Sequence, residues 1–229
     1  MGMTTPYRLH YAPDNASLII RLVLEELGVP YTTTLVDRTT GQQRSPAYRA
    51  LNPNGLTPVL ETPQGPIFET GAILLWLTDT HHALAPQADH PDRATFLKWL
   101  FFVSNTLHAE MGILFYPTKY VGPDSPAHAS LRQTLHSRLT THVSYLEGMV
   151  TQNPETSIVL SYYIACLLRW MALYPRDTDH SWFELTGSPN LHSLLATLET
   201  RPAVHTAEGL GPTPFTAPTF ATPPEGSTT

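Results

Sequence analysis

The chain is poor in the residues that would indicate a secreted, membrane-spanning or nucleic-acid-binding protein. Cys166 is its one cysteine, so an internal disulfide is excluded and nothing indicates an oxidising compartment. Lysine occurs twice in 229 residues, and the formal net charge of -6 argues against a basic face for nucleic acid. No apolar run approaches the roughly 18 residues of a membrane helix. We expect a soluble cytoplasmic protein with neither nucleic acid nor membrane as a partner.

Strand and helix signals alternate over about the first 80 residues. The apolar stripe of 17–27 predicts a helix, and Gly28 followed by Pro30 is typical of a helix end. Strands are predicted at 7–11, 31–36, 57–61 and 65–69, and helices at 17–27 and 70–80, with a short helix as an option within 41–51. This β-α-β-α-β-β-α order predicts a thioredoxin-like sheet.

The strand signal ends after this region. Helical patterns follow at 92–116, 131–150, 158–173 and 190–200. The predicted division is therefore an α/β domain over 1–82, a linker over 83–91, an all-α domain over 92–208 and a Pro/Thr-rich tail over 209–229. The tail has too little apolar bulk to fold alone.

Four short motifs occur in the order typical of one enzyme family. Residues 11–17 read Tyr-Ala-Pro-Asp-Asn-Ala-Ser, 52–60 read Asn-Pro-Asn-Gly-Leu-Thr-Pro-Val-Leu, and 68–74 read Phe-Glu-Thr-Gly-Ala-Ile-Leu. In the helical part, Leu107-His108 precedes Leu114-Phe115-Tyr116-Pro117. Together they resemble the soluble glutathione transferases, and the bacterial beta class most closely, up to about residue 208. The resemblance implies a thioredoxin-like domain followed by an all-α domain, glutathione as co-substrate, and a homodimer.

Two motifs carry the expected site for the peptide backbone of glutathione. The resemblance implies that Thr57 precedes a cis Pro58 and pairs, through its own backbone, with the cysteinyl residue. It also implies that Thr70, at a helix start, binds the γ-glutamyl carboxylate while Glu69 binds the ammonium group. The simpler alternatives are an ordinary X-Pro turn and a plain helix cap.

The sulfur end of the site is expected at the start of the first helix. There the resemblance makes Ser17 the donor that stabilises the glutathione thiolate, with Asn15 as a second candidate. Helix capping without catalysis is the alternative for both residues. Ala16 stands where the beta class has cysteine, so mixed-disulfide chemistry is excluded there. The Tyr11 hydroxyl is a third, weaker candidate.

His108 is expected to face the cleft and to contact glutathione, although a place on a polar helix face is the alternative. No metal site is expected, because no histidine or cysteine pair has ligand spacing. The chain also departs from the family. Leu56 replaces a frequent glutamine contact, Arg38 aligns only loosely with a basic residue for the glycyl carboxylate, and 158–161 lack a capping box for which Ser157 could substitute.

These residues favour an enzyme that binds glutathione and stabilises its thiolate. The thiolate would be added to an apolar electrophilic small molecule, or used to isomerise or cleave it. Aromatic residues within 111–120 are candidates for the second-substrate pocket. Two alternatives stay open: a non-catalytic binding or interaction protein of this fold, and a pathway enzyme that does not consume glutathione.

Overall fold

One mixed sheet organises the first third of the chain in a computed structural model that describes residues 7–221 except 154, 177 and 208. Its strands are β1 (Tyr7–Tyr11), β2 (Tyr31–Leu35), β3 (Val59–Thr62) and β4 (Gly65–Phe68). They lie in the order β2-β1-β3-β4, with β1 parallel to β2 and both other pairs antiparallel. The helices are α1 (Ser17–Leu27), α2 (Pro46–Leu51) and α3 (Thr70–His81). The predicted thioredoxin-like sheet is confirmed.

Every described element after α3 is helical. The helices are α4 (Arg93–Phe102), α5 (Ala109–Phe115), α6 (Thr118–Val121), α7 (Ser125–Gln152), α8 (Ile158–Leu173), α9 (Pro189–Glu199) and α10 (Pro202–Thr206). A π-helical turn over Val103–His108 joins α4 to α5. Short 3-10 turns cover Gln42–Arg44 and Leu185–Gly187. This arrangement confirms the predicted all-α second part.

One hydrophobic core joins the two parts. Helix α1 presents an apolar face that includes Ile19, Leu22 and Val23, all fully buried. It packs against α3, α8 and α10. Helix α8 is apolar on all sides, and all of its residues from Val159 to Met171 are buried, as expected of a central helix.

Three local predictions differ from the structure. Helix α7 begins at Ser125 rather than 131, because its first turns are polar and exposed and give no apolar period. The predicted helix 92–116 is interrupted by the π-helical turn. Ser157 does not cap α8: its hydroxyl is buried without a partner, whereas Ser161 donates back to the Ser157 carbonyl at 3.0 Å.

The tail packs on the protein as far as it is described. Leu210 and Phe215 are buried in the common core. The carboxylate of Glu199 accepts hydrogen bonds from the backbone N–H groups of Phe215 and Thr216, at 2.7 and 2.8 Å. The remainder of the predicted tail, 222–229, lies outside the described residues. No described helix combines the length and apolar character needed to cross a bilayer.

Candidate functional site

The loop between β1 and α1 is the first component of the candidate site. Asp14 has a positive φ of 44°, a left-handed conformation that Asp tolerates better than most residues. Asn15 follows, and its side-chain oxygen accepts hydrogen bonds from the Ser17 backbone N–H at 2.9 Å and from the Ser17 hydroxyl at 2.8 Å. Asn15 therefore caps the first turn of α1.

Ser17 is almost completely buried, with 2% of its surface exposed. Its hydroxyl is placed to donate either to the Ala12 carbonyl, at 3.1 Å, or to Asn15. The Ala12 N–H in turn donates to the Ser17 hydroxyl at 3.3 Å. A hydroxyl bonded in this way holds the loop together, and its role toward a bound thiol stays a prediction.

The turn before β3 is the second component. The peptide bond between Thr57 and Pro58 is cis. The amide of Asn15 donates to the Thr57 hydroxyl at 2.5 Å, so the α1 loop and this turn are joined directly. Among the residues that the structure describes, none makes a hydrogen bond to the backbone N–H or C=O of Thr57. Both groups are therefore free to pair with an extended peptide.

The start of α3 is the third component. Glu69 is exposed and has a φ of 71°, a backbone conformation that costs about 1–3 kcal/mol and is common at ligand sites. Its carbonyl accepts the first helical hydrogen bond, from Ile73 at 3.0 Å. Thr70 is buried at the helix start, where the N–H groups of the first turn lack partners within the helix.

His108 lies at the end of the π-helical turn, where it contacts α8. Its Nδ1 is 2.8 Å from the hydroxyl of Tyr163, and the two rings meet edge to face. Burial lowers the pKa of His108 to about 4, so the imidazole is neutral at pH 7.

A buried polar cluster beneath the α1 loop was not predicted from the sequence. Arg169, in α8, makes a bidentate pair with Asp14 at 3.0 and 2.9 Å. Trp170 Nε1 and the Tyr174 hydroxyl also donate to this carboxylate, each at 2.9 Å. The feature of the sequence that could have revealed this cluster is an arginine inside the most apolar helix, because a buried charge needs a buried partner.

Aromatic side chains extend from this cluster toward solvent. Tyr174 contacts both Phe115 and Phe220, with ring centroids 6.4 and 5.5 Å apart. Next to Phe115, the exposed Tyr116 accepts a hydrogen bond from Arg38 at 3.1 Å. Arg38 thus reaches across to the helical part of the chain. These rings include residues of the segment 111–120 that was expected to form an apolar pocket.

Two cavities differ in their relation to these residues. A cavity of about 150 Å³ lies beside the α1 loop and is lined by Tyr11, Ser17 and, from the tail, Leu210 and Ala221. A larger one of about 420 Å³ lies between the linker, α4 and the start of α8, and contains none of the predicted site residues. The smaller cavity is therefore the one connected with the candidate site.

Other predicted features are local. Leu56 is 55% exposed, so its side chain takes no part in the core. Cys166 is fully buried, and burial raises the pKa of its thiol. In the described ranges, no group of three or more histidine, cysteine or acidic residues is arranged to hold a metal ion.

Comparison with known sequences identifies relatives of this chain. A family model described as glutathione S-transferase, N-terminal domain, matches residues 16–80. Glutathione S-transferase GST-4.5 of Xanthomonas campestris is 30% identical over 168 residues, which are 71% of this chain and 81% of that protein. The transcriptional regulator URE2 of Saccharomyces cerevisiae is 35% identical over 100 residues, which are 40% of this chain but 28% of the regulator.

Solved structures share the fold. A glutathione transferase homologue from Sulfitobacter, crystallised with bound glutathione, superposes with a TM-score of 0.75 over 88% of this chain and 96% of its own. The two sequences are 19% identical. At that identity the likeness supports the architecture, and the activity has to be argued from the site.

Proposed function

Because the chain belongs to the glutathione S-transferase family, we propose that it binds glutathione at these three components and activates its thiol for attack on an apolar electrophile. Thr57 pairs with the cysteinyl backbone through its free N–H and C=O. Glu69 and Thr70 take the γ-glutamyl ammonium and carboxylate groups. Glutathione is a co-substrate in this scheme, and the aromatic surface formed by Phe115 and Tyr174 receives the second substrate.

One observation carries the proposal: the hydrogen bond from Asn15 to Thr57. It joins the loop that would contact sulfur to the turn that would hold the peptide backbone. A primary amide has two N–H groups, and the bond to Thr57 uses one of them. The second is available to a thiolate placed between the loop and Thr57. Relatives crystallised with glutathione share this fold, which supports the same choice of ligand.

The sulfur chemistry then divides between two residues. Asn15 donates to the thiolate, while Ser17 fixes the Asn15 oxygen through its N–H and hydroxyl. Together with the α1 dipole, this donor lowers the thiol pKa below the value of about 8.5 for a free thiol. The thiolate attacks an electrophilic carbon, a C–S bond forms, and the leaving group departs with its electron pair.

His108 acts as a neutral neighbour in this proposal. Its Nδ1 is engaged with Tyr163, which leaves Nε2 to orient bound glutathione or the acceptor. The domain limits of 1–82 and 92–208, a homodimer and a cytoplasmic location remain predictions. Size-exclusion chromatography with light scattering tests the dimer.

The test separates binding from turnover. Calorimetry should show binding of glutathione, and an aryl halide should be conjugated to it. Asn15→Ala should lower kcat about 100-fold, the usual scale for losing one donor to a developing anion. The matched control is Asn190→Ala, because the Asn190 amide is also bonded, to Glu147 and Thr151. Equal rates for the two variants, or no glutathione binding by the parent protein, would contradict the proposal.

A second candidate function is binding without turnover. The Ser17 hydroxyl is already satisfied within the loop, and one relative by sequence is a transcriptional regulator. This alternative predicts glutathione binding with no conjugation of any acceptor in a panel of aryl halides, epoxides and enones. A pathway enzyme that does not consume glutathione would also show no conjugation, whether or not it binds glutathione, and would instead turn over a metabolite of its own.

A further inference from the structure

Helix α1 is tied to the helical part of the chain at both of its ends. Next to its N-terminus, Asp14 is paired with Arg169 of α8. At its C-terminal end, Glu26 is paired with Arg201, which precedes α10, and accepts a hydrogen bond from Tyr162 at 2.8 Å. Both clusters contain an arginine, a carboxylate and a tyrosine, and the first also contains Trp170. They differ in that only the first adjoins the loop that carries Asn15.

Four of the five N–H groups of Arg169 donate hydrogen bonds, and the residue has no exposed surface. Beyond the pair with Asp14, its Nη1 donates to the Pro214 carbonyl at 2.9 Å and its Nη2 to the Thr219 carbonyl at 2.7 Å. One guanidinium thus connects the α1 loop with two points of the tail. The tail then reaches Ala221, which lines the small cavity beside Ser17.

A buried ion pair of this kind is weak as a source of net stability, because desolvation offsets the attraction between the charges. Its geometry is more informative. The Asp14 carboxylate accepts four hydrogen bonds from three side chains in the second half of the chain. The Asp14 backbone is in a left-handed conformation, and Asn15 is the next residue. Side chains of α8 and of Tyr174, which directly follows it, therefore fix the backbone path of the loop.

We propose that Arg169 is a positioning residue: it fixes Asp14, and through Asp14 it sets the orientation of the Asn15 amide, while the docked tail keeps its guanidinium dry. This inference rests on the proposed function for the role of Asn15. It adds that part of the reactivity of the site is set by a residue of α8 and by the segment 214–219, neither of which touches the thiol.

The experiment compares Arg169→Gln with Arg201→Gln in the full-length protein. Each variant breaks one pair between an arginine and a carboxylate, so each should lower thermal stability. Only Arg169→Gln should lower kcat, by about tenfold, because small misplacements of reacting groups have effects of this size or larger. Its KM for glutathione should change less than about twofold, since the Thr57 and Thr70 contacts are intact. The pH profile of kcat/KM should move to higher pH.

A second measurement needs no glutathione. Arg169→Gln should release the tail to chymotrypsin cleavage at Phe215 and Phe220 under native conditions, and Arg201→Gln should not. If Arg169→Gln does not fold, Asp14→Asn takes its place, because Asn keeps the shape of the side chain and tolerates the positive φ. It should show the same loss of kcat.

The outcomes separate the two proposals. If the parent protein binds and conjugates glutathione but both arginine variants have equal kcat values and pH profiles, the positioning role is wrong and the proposed function stands. If the parent protein does not bind glutathione, the proposed function fails, and the positioning role fails with it. Protection of the tail in Arg169→Gln would overturn its docking by the guanidinium.

Discussion

Removing the ring of Phe215 tests whether the tail belongs to the core. Phe215 is 2% exposed and lies in the cluster shared with α1 and α8. Truncating a buried phenylalanine to alanine costs about 3–5 kcal/mol, which combines lost transfer energy with the remaining cavity. In a chain of this length each kcal/mol lowers Tm by about 2–4 °C. We therefore expect Phe215→Ala to lower Tm by about 6–20 °C.

Phe220→Ala is the matched control. It removes the same ring from the same segment, but Phe220 is 42% exposed and rests on Tyr174 and Arg176. Its loss should cost less than about 1 kcal/mol, as for most surface substitutions.

The assay is equilibrium unfolding in urea, followed by tryptophan fluorescence and by far-UV circular dichroism. Coincident transitions for the two probes would justify a two-state free energy. A destabilisation by Phe215→Ala below about 1 kcal/mol would refute the reasoning, because a core residue cannot be truncated at so little cost. Equal losses of unfolding free energy in Phe215→Ala and Phe220→Ala would also refute it.

Further predictions concern single residues. Arg201 lowers the pKa of Glu26 below 4.5. The charged Glu26 therefore stabilises the fold at pH values above 4.5, and this stability is lost as the pH falls through the pKa of the folded state. Glu26→Gln should flatten acid unfolding curves. His108, with a pKa of about 4, should show no NMR titration between about pH 5 and 8. Ser157→Ala should change unfolding free energy by less than about 0.5 kcal/mol, because no cap bond is lost. Gly55→Ala should cost more than about 1 kcal/mol, since φ is 63° and the new Cβ would meet a backbone oxygen at 2.6 Å.

The sequence predicted elements whose signals are local. Helix α1 has an apolar stripe and a glycine after its last turn, and the structure confirms both its bounds and the left-handed Gly28. Helix α8 was predicted with the bounds that the structure has, because its apolar run stands between polar segments. Cis geometry at Pro58 was implied by the resemblance alone, since nothing within the motif itself requires it.

The start of α7 and the packing of the tail depend on tertiary contacts. The first turns of α7 are exposed, so their helical state leaves no periodic pattern. Phe215 is one aromatic residue in a stretch of proline and threonine, and its burial depends on the common core and on Glu199, 16 residues earlier in the chain. Composition alone therefore indicated only that the tail could not fold by itself.

The candidate site likewise has residues that the sequence predicts and contacts that it does not. Motifs identified Asn15, Thr57, Glu69 and Thr70, and the structure brings Asn15 and Thr57 together. No motif could show that the Ser17 hydroxyl is satisfied inside its own loop, because that depends on the backbone path at Ala12. The partner of Arg169 was equally hidden, since Asp14 is more than 150 residues away along the chain.

The clusters at the two ends of α1 also determine how the chain can be divided. An isolated fragment ending at the linker would leave Asp14 and Glu26 without their arginines, and the face of α1 that packs on α8 would be exposed to water. We therefore expect the two architectural parts to form one cooperative folding unit. Urea should unfold them in a single transition, and the sheet half expressed alone should aggregate.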